Sequence, residues 1–358
     1  MSRRNRKLTI ASWPFTGGIN AYIDLFYGAL EKEGIQLVCE LKINDEWLRQ
    51  NASTVDAIHV HWPEDIWRTR GRTWILKLRG VVGLWRFLRL AKSYGCIRVW
   101  TLHNLEHHEG TGLIDFIGYS VMARNSDLII VHNDYTLTAF RKRNRLKGQC
   151  IIMPIGNYDG AFPPPLKQRD ELLNSLGLSE TKKTLLCIGS IRNYKGFDLA
   201  CTAMQCLPSD YQLIIAGKPH DTEIGNNIKK AASPIKDRAA VILGEVPTQQ
   251  FADLVNASDA VLLPYRKITG SAVLLTAFSL GKGVIASDLP PLRELLNNNP
   301  AAGVLFRTGS AEGLAEGIET YFEMQSEIRN TAARGISELF PWSSVVKPVA
   351  QEIRALKR

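Results

Sequence analysis

Several things that would assign a protein class quickly are missing from this sequence. Its six cysteines (Cys39, Cys96, Cys150, Cys187, Cys201 and Cys206) form no Cys-x-x-Cys pair. That fits reduced thiols rather than a disulfide framework or a zinc site. There is no uninterrupted apolar run of about 18 residues, so no segment is expected to span a bilayer. The basic N-terminal stretch MSRRNRKLTIASWPF has an apolar run too short and too broken for a signal peptide. Asp-x-Asp, a carboxylate pair that can hold a divalent metal against a diphosphate, occurs nowhere. Acids are absent from Ile66 to Arg98, a segment carrying nine basic residues, which equals the net charge of +9 for the whole chain.

What is present describes a globular α/β chain. With 358 residues, 45% hydrophobic and 22% charged, it has the length for two ordinary domains, each with its own core. Short apolar strands alternate with amphipathic helices, the pattern of parallel sheets covered by helices. In the first half, strands are expected near 8–13, 37–41, 57–60, 98–102, 128–131 and 150–153, with a first helix over 20–33. A turn-rich patch from Gly156 to Pro165, with three consecutive prolines, closes this half. The pattern then restarts, with strands near 184–188, 211–216, 240–243, 260–263 and 283–286. Residues 342–357 read as one terminal helix. The expected domains are residues 1–160, residues 161–340 and a terminal helix, 341–358, packing back toward the first domain.

Two loops in the second half carry anion-binding chemistry. Gly189-Ser190-Ile191-Arg192-Asn193-Tyr194-Lys195-Gly196 joins a strand to a helix, which places Arg192 and Lys195 where cations can offset a diphosphate. Pro264-Tyr265-Arg266-Lys267-Ile268-Thr269-Gly270-Ser271 also follows a strand. There, Thr269, Gly270 and Ser271 suit a helix N-terminus, whose free N–H groups and dipole favour phosphate. Each loop alone could be a solvated turn or an ordinary cap; their combination is the more specific signal.

These motifs, with Leu213–Gly217 and AFSLGKGVIAS (277–287), resemble the donor-binding half of the GT-B glycosyltransferases. Adding HVHWPE (59–64), TLHNLEHHE (101–109) and LLPYRKITGSAVLLTAFSLGKGVIA (262–286), the chain is similar to xanthan-type GDP-mannose:glycolipid β-1,4-mannosyltransferases from Asn20 to about Ser287. The resemblance implies two Rossmann-like domains facing a cleft. It implies a nucleotide-sugar donor, GDP-mannose in the first instance, held by Arg192, Lys195, Tyr265, Arg266, Thr269, Gly270 and Ser271. It further implies a lipid-diphosphate-linked oligosaccharide acceptor in exopolysaccharide synthesis, and peripheral placement on the inner face of the cell membrane. Retaining GT-B enzymes of family 4 carry two glutamates eight positions apart; aligned here, those positions hold Ile268 and Thr276, which favours the inverting group. A retaining enzyme, or one using a UDP-sugar, remains the alternative.

An inverting transfer needs a base for the acceptor hydroxyl. Glu109 and Glu64 each lie in a loop after a strand and are the two candidates, Glu109 first, with His103 and His108 next. His61, His108 and Asn104 are expected to contact the acceptor or line the cleft, as are Gly18 and Asn20 in the loop after the first strand. His59 and His61 share one strand face, but no carboxylate or cysteine completes a metal set, so no metal is expected.

In the basic segment, Trp74, Leu78, Val81, Trp85 and Leu88 fall on one helical face, with Lys77, Arg86, Arg89 and Lys92 off that stripe. Trp74, Arg79, Trp85, Arg86 and Arg89 are therefore expected to contact an anionic membrane surface. A nucleic-acid-binding protein would also be basic, but the charge is confined to one segment and no nucleic-acid-binding motif accompanies it. Because cations are already placed for the leaving group, sugar transfer is expected to survive EDTA. A rate that collapses with chelator and returns with Mn²⁺ or Mg²⁺ would overturn the cation-based account of the phosphate site.

Overall fold

A computed structural model describes residues 7–15, 21–68, 73–105 and 112–357. The chain divides into two compact units, Met1–Gly156 with Trp342–Arg358, and Asn157–Pro341.

The first unit is built on β1 (Leu8–Trp13), β2 (Ile35–Glu40), β3 (Ala57–Val60), β4 (Ile97–Thr101), β5 (Leu128–Val131) and β6 (Gln149–Ile152). All pair in parallel, in the order β2-β1-β3-β4-β5-β6. The central strands are near-continuous apolar runs with every residue buried, as strands covered on both faces must be. The helices are α1 (Tyr22–Lys32), α2 (Asp45–Asn51), α3 (Glu64–Trp67), α4 (Trp74–Ser93), α5 (Leu113–Asn125) and α6 (Asp134–Arg143). Chain order runs from β1 to β2 and then back past β1 to β3. The direction of winding thus reverses between β1 and β3, and a crevice opens at their C-terminal ends.

The second unit repeats the plan. After α7 (Arg169–Ser175) come β7 (Lys183–Ile188), a 3₁₀ turn (Asn193–Lys195), α8 (Phe197–Cys206), β8 (Tyr211–Gly217), α9 (Thr222–Ala232) and β9 (Ala239–Leu243). Then follow α10 (Thr248–Ala257), β10 (Ala260–Leu263), α11 (Ala272–Ser279), β11 (Val284–Ser287), α12 (Pro290–Leu296), β12 (Gly303–Phe306), α13 (Ala311–Glu323) and α14 (Ser326–Glu338). The sheet order is β12-β11-β10-β7-β8-β9, so the reversal lies between β7 and β10. β12 was not among the expected strands; its residues GVLF are too few for an alternating pattern to show.

Residues 342–357 do not form one helix. They split into α15 (Trp342–Val345) and α16 (Lys347–Lys357). Pro348 has no N–H, and its ring cannot accept the preceding helical turn, so a new helix must start around it. This segment is part of the first unit: Lys357 Nζ lies 2.7 Å from Asp56 Oδ1, and the Arg354 guanidinium donates to the Glu33 carbonyl.

The α4 stripe expected from sequence also separates. Val81, Leu84, Phe87, Leu88 and Ala91 are buried, whereas Trp74 and Trp85 are exposed. The buried line steps by three and four residues from Val81, and Trp85, one residue past Leu84, is turned about 100° away from it.

Trp67 ties α3 to α5. Its Nε1–H donates to Asp115 Oδ1 at 2.8 Å, and the Arg68 guanidinium donates to the same carboxylate. A Cβ on Gly118 would stand 2.5 Å from Trp67 Cζ2. Gly118→Ala therefore overpacks this junction and is expected to cost about 1–3 kcal/mol. All eight tryptophans belong to the first unit, so a lowered urea midpoint followed by tryptophan fluorescence reads this change; an unchanged midpoint would show that α5 can shift aside.

Candidate functional site

In the second unit, the loops after β7 and β10 flank the winding reversal, the position where open parallel sheets bind ligands. They are tied together tightly. Gly196 has φ of 65°, and a Cβ there would lie 2.0 Å from the Pro264 carbonyl oxygen. The Arg266 amide donates to the Tyr194 carbonyl at 2.7 Å. Arg266 spends its guanidinium on Asp198 of α8, at 2.7 and 3.0 Å, and on the Asn193 carbonyl. Its visible role is thus to clamp the two loops. Tyr265 is buried with its hydroxyl on Ser271, and Ser271 caps α11 by accepting from the Leu274 amide at 3.1 Å.

Lys195 is the unusual member. It is buried, 6% exposed, and makes no ion pair with a carboxylate among the described residues. Burial, then the neighbouring Arg192 charge, pulls its ammonium down to about 8. A side chain at Gly189 would sit 3.1 Å from Lys195 Nζ and 3.3 Å from Val273 Cγ2. The ammonium, the Gly189 backbone and the first turn of α11 therefore meet at one point. Two cations held close together in a site short of carboxylates form an environment that an anion would stabilise. Thr269 and Gly270 lie just before Ser271, partly exposed.

In the first unit, four histidines stand at the ends of adjacent strands: His59 and His61 at β3, His103 after β4 and His132 after β5. Hydrogen bonds join them in one chain. His132 Nδ1 meets the Met153 carbonyl at 3.0 Å and can only donate to it. Its Nε2 must then accept from His103 Nδ1 at 3.2 Å, and His103 Nε2 from His61 Nδ1 at 3.1 Å. His61 Nε2 accepts from the Tyr27 hydroxyl at 3.0 Å, Tyr27 from His59 Nδ1 at 2.7 Å, and His59 Nε2 from the Thr101 hydroxyl at 2.8 Å. This assignment requires neutral rings, which burial favours. It pushes His59 down to about 3 and His132 to about 4, and His61 and His103 well below their usual range. Both nitrogens of His61 and of His103 are occupied within this chain. No group of three or more His, Cys, Asp or Glu able to hold a metal occurs among the described residues.

Glu64 opens α3, next to this chain, at the β1/β3 reversal. It is 4% exposed, and burial lifts its carboxyl to about 7, against the opposing hydrogen bond from Asn104 and the Arg68 charge. A carboxyl poised near neutrality can take up a proton at physiological pH. Glu109, His108, Gly18 and Asn20 lie outside the described residues. Sequence reading did not single out Tyr27 or His132; His132 was detectable as a polar residue at the end of an otherwise apolar parallel strand, whereas Tyr27 lies within α1 and gave no such signal.

The exposed side of α4 carries Trp74, Ile75, Val82 and Trp85 among Arg79, Arg86 and Arg89, with Arg89 5.6 Å over the Trp85 ring. Leu113 and Phe116 of α5, which packs on α4, are also exposed. No helix of the described residues is long and apolar enough to cross a membrane.

Residues 168–337 match the family model Glycosyl transferases group 1. The chain is 26% identical over 206 residues to the lipopolysaccharide core biosynthesis mannosyltransferase LpsB of Rhizobium meliloti, covering 54% of this chain and 56% of that one. It is also 26% identical over 242 residues to a GDP-mannose:glycolipid 4-beta-D-mannosyltransferase of Xanthomonas campestris pv. campestris, covering 65% of this chain and 62% of the relative. The matched region thus spans less than two thirds of either relative. Among solved structures, a sucrose-phosphate synthase from Thermosynechococcus elongatus superposes with TM-score 0.73 at 16% identity, over 98% of this chain and 99% of that one. HepE of Anabaena in complex with UDP-glucose gives TM-score 0.72 at 14% identity, over 97% and 99%. These likenesses concern the fold, which is the α/β GT-B class.

The neutral histidine chain makes the first unit acid-sensitive. Folded His59 and His132 titrate below the free value near 6.5, so the unfolded chain takes up protons first as pH falls. Stability is full above about pH 6.5 and is lost on acidification toward about 4, by roughly 1.4 kcal/mol per pH unit for each ring. The tryptophan-detected melting temperature should therefore fall steadily from pH 6.5 to 4.5; a flat profile would mean that the rings are charged in the folded chain.

Proposed function

We propose that this protein is a glycosyltransferase whose second unit binds a nucleotide-diphosphate sugar, a reading supported by the match of residues 168–337 to the family model Glycosyl transferases group 1. The observation that carries this reading is buried Lys195, without a carboxylate partner, beside Arg192 at the β7/β10 reversal and facing the first turn of α11. Lys195, Arg192 and the backbone at Thr269–Ser271 are assigned to the diphosphate. They stabilise the charge that grows on the leaving group as the sugar departs, work otherwise done by a metal. GDP-mannose is the proposed donor, on the strength of the two mannosyltransferase relatives, one of which is named for that donor.

Glu64 is the proposed general base. It accepts the proton of the acceptor hydroxyl as that oxygen attacks the anomeric carbon; the bond to the diphosphate breaks on the opposite side, and the configuration inverts. Asn104 holds the carboxyl in position. Glu109 remains the second candidate. The acceptor is proposed to be lipid-linked, with the exposed α4 face docking on the anionic inner surface of the membrane. Trp74 and Trp85 suit the headgroup level, and Arg79, Arg86 and Arg89 would each contribute about 1 kcal/mol there.

Two variants separate the roles. Lys195→Ala is expected to weaken GDP binding at least about tenfold, since a charge-assisted bond to phosphate is worth roughly 1.5–3 kcal/mol. Glu64→Gln should leave GDP affinity intact and lower kcat by about 10²–10⁴. A base must be ionised, so kcat/KM in the parent should rise with pH through about 7, and the rise should vanish in Glu64→Gln. Unchanged GDP affinity in a folded Lys195→Ala protein, or an α-linked product by NMR, would reject this assignment.

A further inference from the structure

Trp62 has no part in the chemistry assigned above, yet its surroundings differ from those of the tryptophans of α3, β4 and α4. Trp67 and Trp100 are fully buried, and Trp74 and Trp85 stand out from the exposed side of a helix. Trp62 is half-buried at the C-terminal end of β3, two residues before Glu64. One face of its indole lies on the His103 ring, centroids 4.3 Å apart and planes 15° from parallel. No other ring except His61, tilted at 5.5 Å, packs on it among the described residues. Its indole N–H makes no hydrogen bond to a described residue.

The backing is rigid. His103 is held through both nitrogens by His61 and His132, and Tyr22 meets it edge-on at 5.1 Å. Among the described residues, the indole therefore has one face backed by His103 and neither a ring on its other face nor a partner for its N–H, two residues from the buried Glu64 carboxyl and stacked on the residue preceding Asn104. A lipid chain would use the flat surface and leave the indole donor and the remaining acceptor positions of Glu64 unused, which is costly. A phosphate would use the polar groups, but Glu64 would repel it. A pyranose matches both parts: its C–H face is apolar and its rim carries hydroxyls. We infer that Trp62 is a stacking platform for the sugar ring that carries the acceptor hydroxyl, so that the first unit recognises a saccharide rather than a bare lipid phosphate. This rests on the glycosyltransferase reading and assigns Trp62 to the sugar of its acceptor.

The platform requires a face more than a donor, which orders the variants. Binding of octyl β-glucoside below its micellar concentration, and of octyl phosphate, is measured by calorimetry for the parent, Trp62→Phe and Trp62→Ala, with GDP titrated into each. The parent should bind the glucoside and not octyl phosphate. Trp62→Phe, which keeps a stacking face, should stay within about threefold of the parent, and Trp62→Ala should lose about tenfold, in the range expected for an aromatic contact. GDP affinity should be the same in all three. The inference falls if the parent ignores the glucoside, if octyl phosphate binds as well, or if Trp62→Ala matches the parent. It also falls if Trp62→Ala weakens GDP, which would make Trp62 a base-stacking residue. Failure of the parent to bind GDP at all would instead count against the donor reading of the second unit.

Discussion

A parallel strand covered by helices on both faces has no place for a polar side chain except at its ends. Nearly every central strand of both sheets is apolar and buried, so polar chemistry is pushed to the loops at the C-terminal ends. Winding that reverses direction then opens those loops at one point in each sheet, β1/β3 in the first unit and β7/β10 in the second. Glu64 and the histidine chain gather at or beside the first point; Arg192, Lys195 and the Ser271 cap gather at the second.

The two points handle buried polarity in opposite ways. In the first unit, burial lowers the affinity of the imidazoles for protons, and the neutral rings satisfy one another in a one-way series ending on the Met153 carbonyl. Such a series has one consistent set of tautomers, and a change at any ring must be met by its neighbours. In the second unit, a buried ammonium beside Arg192 is not compensated by a carboxylate of its own. The first arrangement is internally complete and serves as a support; in the second, Lys195 has no carboxylate partner among the described residues, which is the basis of the anion site proposed there. That contrast is why the donor assignment rests on Lys195, while the histidines are given the task of holding neighbouring side chains.

Surface chemistry follows a different rule. The α4 helix buries Val81, Leu84, Leu88 and Ala91 and turns two tryptophans outward among arginines. Exposed indoles cost solvation unless something covers them. The interspersed cations and the neighbouring exposed Leu113 and Phe116 are the observations on which the proposed docking at an anionic lipid surface rests.

By itself, the sequence determined the class of fold, most of the strands and the two loops at the β7/β10 reversal. Local apolar periodicity and Gly-rich turns are short-range signals, readable wherever residues near in sequence act together. It also supplied the charge imbalance of α4, but not which of its apolar residues face inward; that depends on Gly80 and Gly118 letting α3, α4 and α5 approach closely. It did not show the break of the terminal segment at Pro348, nor the pairing of Lys357 with Asp56, which meet only after folding. Nor could it show that Arg266 is committed to Asp198, that the histidines occupy one another's nitrogens, or that Glu64 is lifted to about 7. Those properties arise from burial and from partners tens of residues away, and only the tertiary structure decides which groups lose water and which they meet in its place.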